Sequence, residues 1–319
     1  MKDPIKLKTV FMGTSQFAAK ILESLLENHY NIVSVYTRAD KKSGRNQEAG
    51  KSAVKLIAEK NNLKIIEPEK FDDGAIAELG AQEPDILIIA AYGRILPKKI
   101  LDIPGFGALN VHPSLLPKYR GPSPLQNALL EGDEVTGTTI MLMNEGVDTG
   151  DILMQEKIFI DSEETYAELS ENVAAISAEL LLRVLPLWVE RKISPLAQDD
   201  SRATYCQLIE RSDGQIIWMD SANSIYNRAR AFFSWPGIFT YWEKDDCNLR
   251  LKLHKISLTQ NLPETKHQVG EVFKVDEKVA VQTGEGLIFL EEVQLEGKNK
   301  TTIEDFINGY PSFIGSFLK

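Results

Sequence analysis

The chain has 319 residues, with 36 Lys and Arg against 46 Asp and Glu, a formal charge of −10. At 43% hydrophobic and 26% charged residues it is neither disordered nor collagen-like, and its length points to about two domains, since single cores stop growing near ~250–300 residues. Two cysteines (Cys206 and Cys247) and four histidines exclude a disulfide framework and a zinc cluster, and the acidity argues against a nucleic-acid partner. Residues 8–12 (KTVFM) read as a short strand ending at Gly13 and Thr14, followed by a helical pattern of Phe17, Ile21, Leu22, Leu25 and Leu26. Residues 31–36 (NIVSVY) are a second strand, and Ser52 caps a helix with Val54, Ile57 and Ala58 at helical spacing. Residues 85–90 (DILIIA) have the form of a strand buried on both faces, and 107–111, 138–143 and 152–160 are further strands. This alternation predicts a mainly parallel α/β sheet, with ligands at the carboxyl ends of its strands, after residues 12, 90 and 111.

Residues 165–191 form a long helix with Leu169, Val173, Ile176, Leu180 and Val184 on one face, which Pro186 is expected to kink or end. Residues 192–207 have no period and read as a linker between 1–191 and 208–319. After a helix over 221–233, short strands at 237–242, 249–256, 270–274, 280–283 and 286–295 predict a small antiparallel barrel or sandwich, with a terminal helix from Thr302. The opening MKDPIKLKTVFMG lacks the apolar core of a signal peptide, and the longest apolar run, 86–92, is far short of the ~18 residues that span a bilayer. A soluble, cytoplasmic protein with no membrane association is expected.

The chemistry concentrates in NVHPSLLPKYRGPSP, residues 110–124. Asn110 and His112 stand two apart at a strand end, so both side chains point to one face, offering an amide donor and a group that titrates near neutrality. Such a pair suits polarising a carbonyl and handling its proton; the plainer alternative is a buried histidine beside a turn asparagine. The segment GVDTGD, residues 146–151, gives a tight turn presenting Asp148, which by itself is equally a plain β-turn. Together the two segments supply a carboxylate to orient an imidazole.

These residues resemble a known block. NVHPSLLPKYRGPSPLQNALLEGDEVTGTTIMLMNEGVDTGDIL is similar to the signature of folate-dependent formyltransferases, and MGTSQFAAKILESLL, AYGRILP and RAFFSWPGIF extend the resemblance over nearly the whole chain. It is strongest to the branch of that family whose acceptor is methionyl initiator tRNA. The resemblance implies a Rossmann-like catalytic domain over 1–191 and an OB-like, tRNA-contacting barrel over 208–319. It also implies 10-formyltetrahydrofolate as a co-substrate leaving as tetrahydrofolate, no metal, and a monomer that formylates the methionyl α-amine for translation initiation. Asn110, His112 and Asp148 fall on the family's catalytic positions. Ser114, Leu115, Leu116, Pro117, Arg94, Ile95 and Leu96 fall on its folate pocket, an exposed salt bridge being the alternative for Arg94. Gly13, Thr14, Arg45, Lys118 and Arg120 fall on the acceptor side, and Trp235 with Pro236 is left as packing.

Two departures bear on the acceptor. In the loop after the second strand, Gln47 and Glu48 stand where relatives often carry lysines, and residues 210–319 hold 13 Lys and Arg against 16 Asp and Glu. Phosphate attraction then rests on local clusters: Lys41, Lys42, Arg45 and Lys51; Lys98, Lys99, Lys118 and Arg120; Arg228 and Arg230. Sugar-nucleotide N-formyltransferases, which share the first domain, remain the alternative enzyme, and a catalytically silent folate sensor the alternative class. One-domain glycinamide ribonucleotide formyltransferases leave residues 208–319 unexplained.

Overall fold

The computed structural model describes residues 3–43, 48–245, 247–258 and 267–319, which divide into two compact units. The first comprises Met1–Pro124, Val135–Ile160 and Glu168–Gln207. In chain order it carries β1 (Thr9–Gly13), α1 (Gln16–Glu27), β2 (Ile32–Tyr36), the hairpin β3 (Lys41–Ser43) and β4 (Glu48–Gly50), α2 (Ala53–Lys60), β5 (Ile65–Ile66) and α3 (Asp73–Gly80). There follow β6 (Ile86–Ala90), α4 (Lys98–Leu101), β7 (Ala108–His112), α5 (Pro124–Leu130, lying in the second unit after its first residue), β8 (Val135–Leu142), β9 (Ile152–Phe159) and α6 (Tyr166–Val189). Among the described residues the main sheet has seven strands in the order β5-β2-β1-β6-β7-β8-β9, parallel from β5 to β7 and antiparallel from β7 to β9.

The apolar runs explain the order. Every residue of β1, β6 and β7 is buried, as central strands covered on both faces require. Ser15, Ser52 and Asp72 cap α1, α2 and α3 by accepting from the amides of Ala18, Lys55 and Ala75. Helix α6 buries Leu169, Val173, Leu180 and Val184. It is long and apolar enough in composition to cross a membrane, yet half of its most apolar window is buried in the structure. Pro186 does not end it: the helix runs on to Val189, because Pro186 gives up only its own donor while its carbonyl still accepts from Glu190. The elements that the hydrophobic pattern did not reveal include β5 and α4, two and four residues long, too short to show a period.

The second unit comprises Leu125–Glu134, Asp161–Ala167 and Leu208–Lys319. After α7 (Ala222–Ala231), capped by Ser221, come β10 (Ile238–Lys244), β11 (Cys247–Leu258), β12 (Val272–Val275), β13 (Lys278–Gln282), β14 (Leu287–Leu295), β15 (Thr301–Thr302) and α8 (Ile303–Gly309), capped by Thr302. The strands form one curled antiparallel sheet, β10-β11-β14-β13-β12, with β15 on β14. The chain end links its two edges: Leu318 pairs with Trp242 of β10, and Phe317 with Glu271 beside β12. Trp242, 1% exposed, sits edge-on to Phe306, Tyr310 and Phe313, the aromatic centre of this core.

Candidate active site

Strand β7 places Asn110 and His112 on one face, both buried. Hydroxyls of β8 hold the chain that leaves His112. Thr139 Oγ1 donates to the Ser114 carbonyl at 2.6 Å and accepts from the Leu116 amide at 3.2 Å, and Ser114 Oγ donates to the Lys118 carbonyl at 2.6 Å. The loop then turns through Tyr119, at φ 59°, so that its carbonyl meets His112 Nε2 at 3.0 Å. A carbonyl only accepts, so this contact puts the proton on Nε2.

Asp148 comes from the loop between β8 and β9. Leu142 pairs with Leu109, so this loop starts beside the amino end of β7, and Asp148 reaches Asn110 and His112 by folding back. Its Oδ1 accepts from Asn110 Nδ2 at 3.2 Å and its Oδ2 from the Gly121 amide at 2.8 Å, while His112 Nδ1 lies 3.6 Å from Oδ2. Both imidazole nitrogens therefore face acceptors. Two glycines are needed here. A Cβ on Gly150 would lie 1.9 Å from the Leu142 carbonyl oxygen, and one on Gly121, at φ 118°, would lie 2.5 Å from the Cys206 carbonyl oxygen. Asp148 itself is held at φ 52°, the left-handed conformation that aspartate tolerates better than most residues with a Cβ.

The other expected site residues divide. Ser114, Leu116 and Leu96 are buried, Leu96 in the cluster of Met12, Tyr92 and Ile100; Leu115 and Pro117 are half-buried and Ile95 is 80% exposed. Arg94 donates to the Glu69 carbonyl. Gly13 has no room for a side chain, its Cβ position lying 2.7 Å from Ala18 Cβ, and Thr14 Oγ1 donates to the Tyr92 carbonyl at 3.3 Å. Lys118 is exposed, with Nζ 4.7 Å from the Tyr119 ring centre. Arg45 lies outside the described residues. Arg120, expected on the acceptor side, is 1% exposed, its guanidinium engaged by Gln198, Asp200 and Tyr205. Of the cations in the sequence clusters, Lys51 is tied to Glu59, Lys98 to Asp102 and Lys99 to Asp73, and the side chains of Lys41 and Lys42 lie outside the described residues. Arg228 donates to the Asp213 carbonyl, and Arg230 is buried.

What sequence reasoning missed here is mostly main chain, the Tyr119 carbonyl and the Gly121 amide, which no side-chain pattern announces. Gln198 was missed because its stretch has no period. Among the described residues no group of three or more His, Cys, Asp or Glu side chains is placed to hold a metal ion.

The profile of the formyl transferase family matches residues 7–185, and that of the formyl transferase C-terminal domain matches 208–311. The chain is 41% identical over 313 residues to a methionyl-tRNA formyltransferase of Caldicellulosiruptor saccharolyticus, covering 97% of this chain and 99% of that one. It is 38% identical over 311 residues to that of Carboxydothermus hydrogenoformans, covering 97% and 98%. Among solved structures, an N-formyltransferase from Helicobacter canadensis in complex with folinic acid and dTDP-3-aminofucose superposes with a TM-score of 0.65 at 21% identity, over 89% of this chain and 98% of that one. HypX from Aquifex aeolicus in complex with tetrahydrofolic acid gives 0.63 at 16%, over 97% and 48%; at these identities the likeness is one of fold. The sheet with its Asn110, His112 and Asp148, the curled second sheet and the full-length similarity agree: the chain belongs to the formyl transferase family.

Proposed function

We propose that this protein transfers the formyl group of 10-formyltetrahydrofolate to the α-amine of methionyl initiator tRNA, releasing tetrahydrofolate and N-formylmethionyl-tRNA. The observation that carries the reading is the convergence of Asn110, His112 and Asp148 within hydrogen-bond or ion-pair reach in a buried site. Similarity to methionyl-tRNA formyltransferases over 97% of the chain supports the acceptor. The amine attacks the formyl carbon, and negative charge develops on the formyl oxygen. Asn110, whose amide has a second hydrogen beside the one given to Asp148, is the donor that stabilises it, usually the largest contribution in acyl transfer. His112, held between Asp148 and the Tyr119 carbonyl, adds positive charge beside it when protonated. Asp148 orients the imidazole and relays the amine proton toward the departing folate nitrogen. The folate is a consumed substrate; the loops after β6 and β7, with Arg94, Ile95, Leu96 and residues 114–117, are the wall we assign to it, offering apolar surface and main-chain groups suited to a flat, hydrogen-bonding ring.

In the second unit, a cleft of about 630 Å³ lined by Arg230, Lys252, His254, Lys255, Lys300 and the half-exposed Phe233 is the surface we assign to the phosphate chain. The same reading makes the protein cytoplasmic and monomeric, which sedimentation of the purified chain tests. The deciding assay offers 10-formyltetrahydrofolate with either charged initiator tRNA or an amino-sugar nucleotide. Formylation of the tRNA is expected, and turnover of the sugar nucleotide alone would transfer the assignment to the sugar branch.

A further inference from the structure

Behind the catalytic side chains lies a second layer drawn from the stretch expected to be a linker. The carboxamide of Gln198 uses its whole hydrogen-bonding capacity there. Nε2 donates to the carbonyls of Asp148, at 2.8 Å, and Gly150, at 2.7 Å; Oε1 accepts from Arg120 Nε at 3.1 Å and Nη2 at 2.8 Å. Arg120 completes its contacts with Tyr205 Oη at 3.1 Å and Asp200 at 2.6 Å. Burial opposes its charge, but the bonds to Asp200 and Tyr205 prevail and its pKa moves upward. Its backbone is held as well, the amide by the Thr204 carbonyl and the carbonyl by the Cys206 amide. The residues on either side of Arg120 are the ones that touch the site: Tyr119 through its carbonyl on His112, and Gly121 through its amide on Asp148. One carboxamide thus ties the backbone of Asp148 to the segment that fixes the imidazole.

We propose that Gln198 is a positioning residue for formyl transfer: anchored on Arg120, it holds Asp148 in its left-handed backbone conformation, with the carboxylate turned to Asn110 and His112. Aspartate tolerates the left-handed region better than most residues with a Cβ, and the two bonds to the Asp148 and Gly150 carbonyls fix that turn at φ 52°. The inference rests on Asp148 being the catalytic carboxylate.

The test uses the full chain in four variants, Gln198→Glu, Gln198→Leu, Asp148→Ala and the Asp148→Ala/Gln198→Leu pair, each assayed with 10-formyltetrahydrofolate and charged initiator tRNA. Gln198→Glu keeps the length and the bonds to Arg120 but has no N–H to donate, so it folds while releasing Asp148. Both Gln198 variants are expected to lose about 10- to 100-fold in kcat, as a misplaced catalytic group does. The KM of each substrate should stay within about twofold, since ground-state binding is untouched. In the Asp148→Ala background the Gln198→Leu change should cost nothing further, the non-additivity that marks residues acting through one another. Wild-type kcat in Gln198→Glu, or a Gln198→Leu loss equally large in both backgrounds, overturns the proposal and leaves Gln198 a brace of the fold. An Asp148→Ala enzyme as fast as wild type removes the catalytic assignment and the inference with it; an impaired Asp148→Ala beside an unimpaired Gln198→Glu removes the inference alone.

Discussion

The candidate active site and the cleft of the second unit treat polar groups in opposite ways. At the active site, Asn110, His112 and Asp148 are withdrawn from water, and each is met by a partner on a defined atom. In the cleft, Lys252, His254 and Lys255 extend from β11, and Lys255 and Lys300 pair with the half-buried Glu291 and Glu292. Fixed, partnered groups in a low-dielectric site stabilise developing charge without reorganising. Exposed pairs contribute little to stability and exchange readily for another anion. The contrast matches the division of labour proposed above: bond making in the first unit, long-range attraction in the second.

Substitutions in the two regions should therefore fail in different ways. The largest effect is expected at the active site, where His112→Ala or Asp148→Ala should lower kcat by about 10²- to 10⁴-fold, the range of lost acid–base catalysis. Steady-state kinetics beside a thermal melt checks this, and near-normal turnover in a folded variant would end the roles given to these side chains.

The legibility of the sequence follows the same divide. Asn110 and His112 could be read because strand periodicity puts residues two apart on one face, and Asp148 because two glycines frame it. The continuous apolar runs of β1 and β6 announced a doubly covered sheet, and the Ser52 cap was visible beforehand. Arg120 could not be read. A lone arginine beside Lys118 looks like surface charge until the segment carrying Gln198, Asp200 and Tyr205 folds over it, and nothing local predicts that contact between positions some 80 apart. Charge composition was likewise mute about placement, since it cannot say that Lys98 and Lys99 are already paired with Asp102 and Asp73.

A smaller effect, of another kind, is expected in the cleft. Lys252→Glu should raise the KM for charged tRNA severalfold, leave kcat within about twofold and reduce the salt dependence of KM, because one phosphate contact changes the slope of log K against log salt by roughly one. Initial rates from low to moderate salt measure this. A fall in kcat with an unchanged slope would break the division of labour between the two regions.

The smallest effect tests an exception inside the first unit. Tyr92, 2% exposed, buries a hydroxyl that meets no hydrogen-bond partner among the described residues, whereas the Tyr36 hydroxyl, across Phe71 from it, accepts from Gln82 Nε2 at 3.0 Å. Burial, which outweighs the opposing pull of Arg94 and Arg38, pushes the Tyr92 pKa up to about 12. The unfolded chain loses this proton near the ordinary value of 10.0 and the folded chain only near 12, so above pH 10 the unfolded state binds fewer protons. The stability linked to Tyr92 is thus complete below pH 10 and is lost as pH rises through about 12. Tyr36, also raised to about 12, chiefly by burial, titrates in the same window. Tyr92→Phe removes the orphan hydroxyl and one of the two titrations, and should add about 1 kcal/mol at neutral pH while making the alkaline decline shallower. Tyr36→Phe strands the Gln82 donor, so it should flatten the alkaline decline at a net loss of stability at neutral pH. Urea melts of both variants from pH 7 to 11 separate the cases, and equal neutral-pH losses would show that the Tyr92 hydroxyl is as well satisfied as its neighbour's.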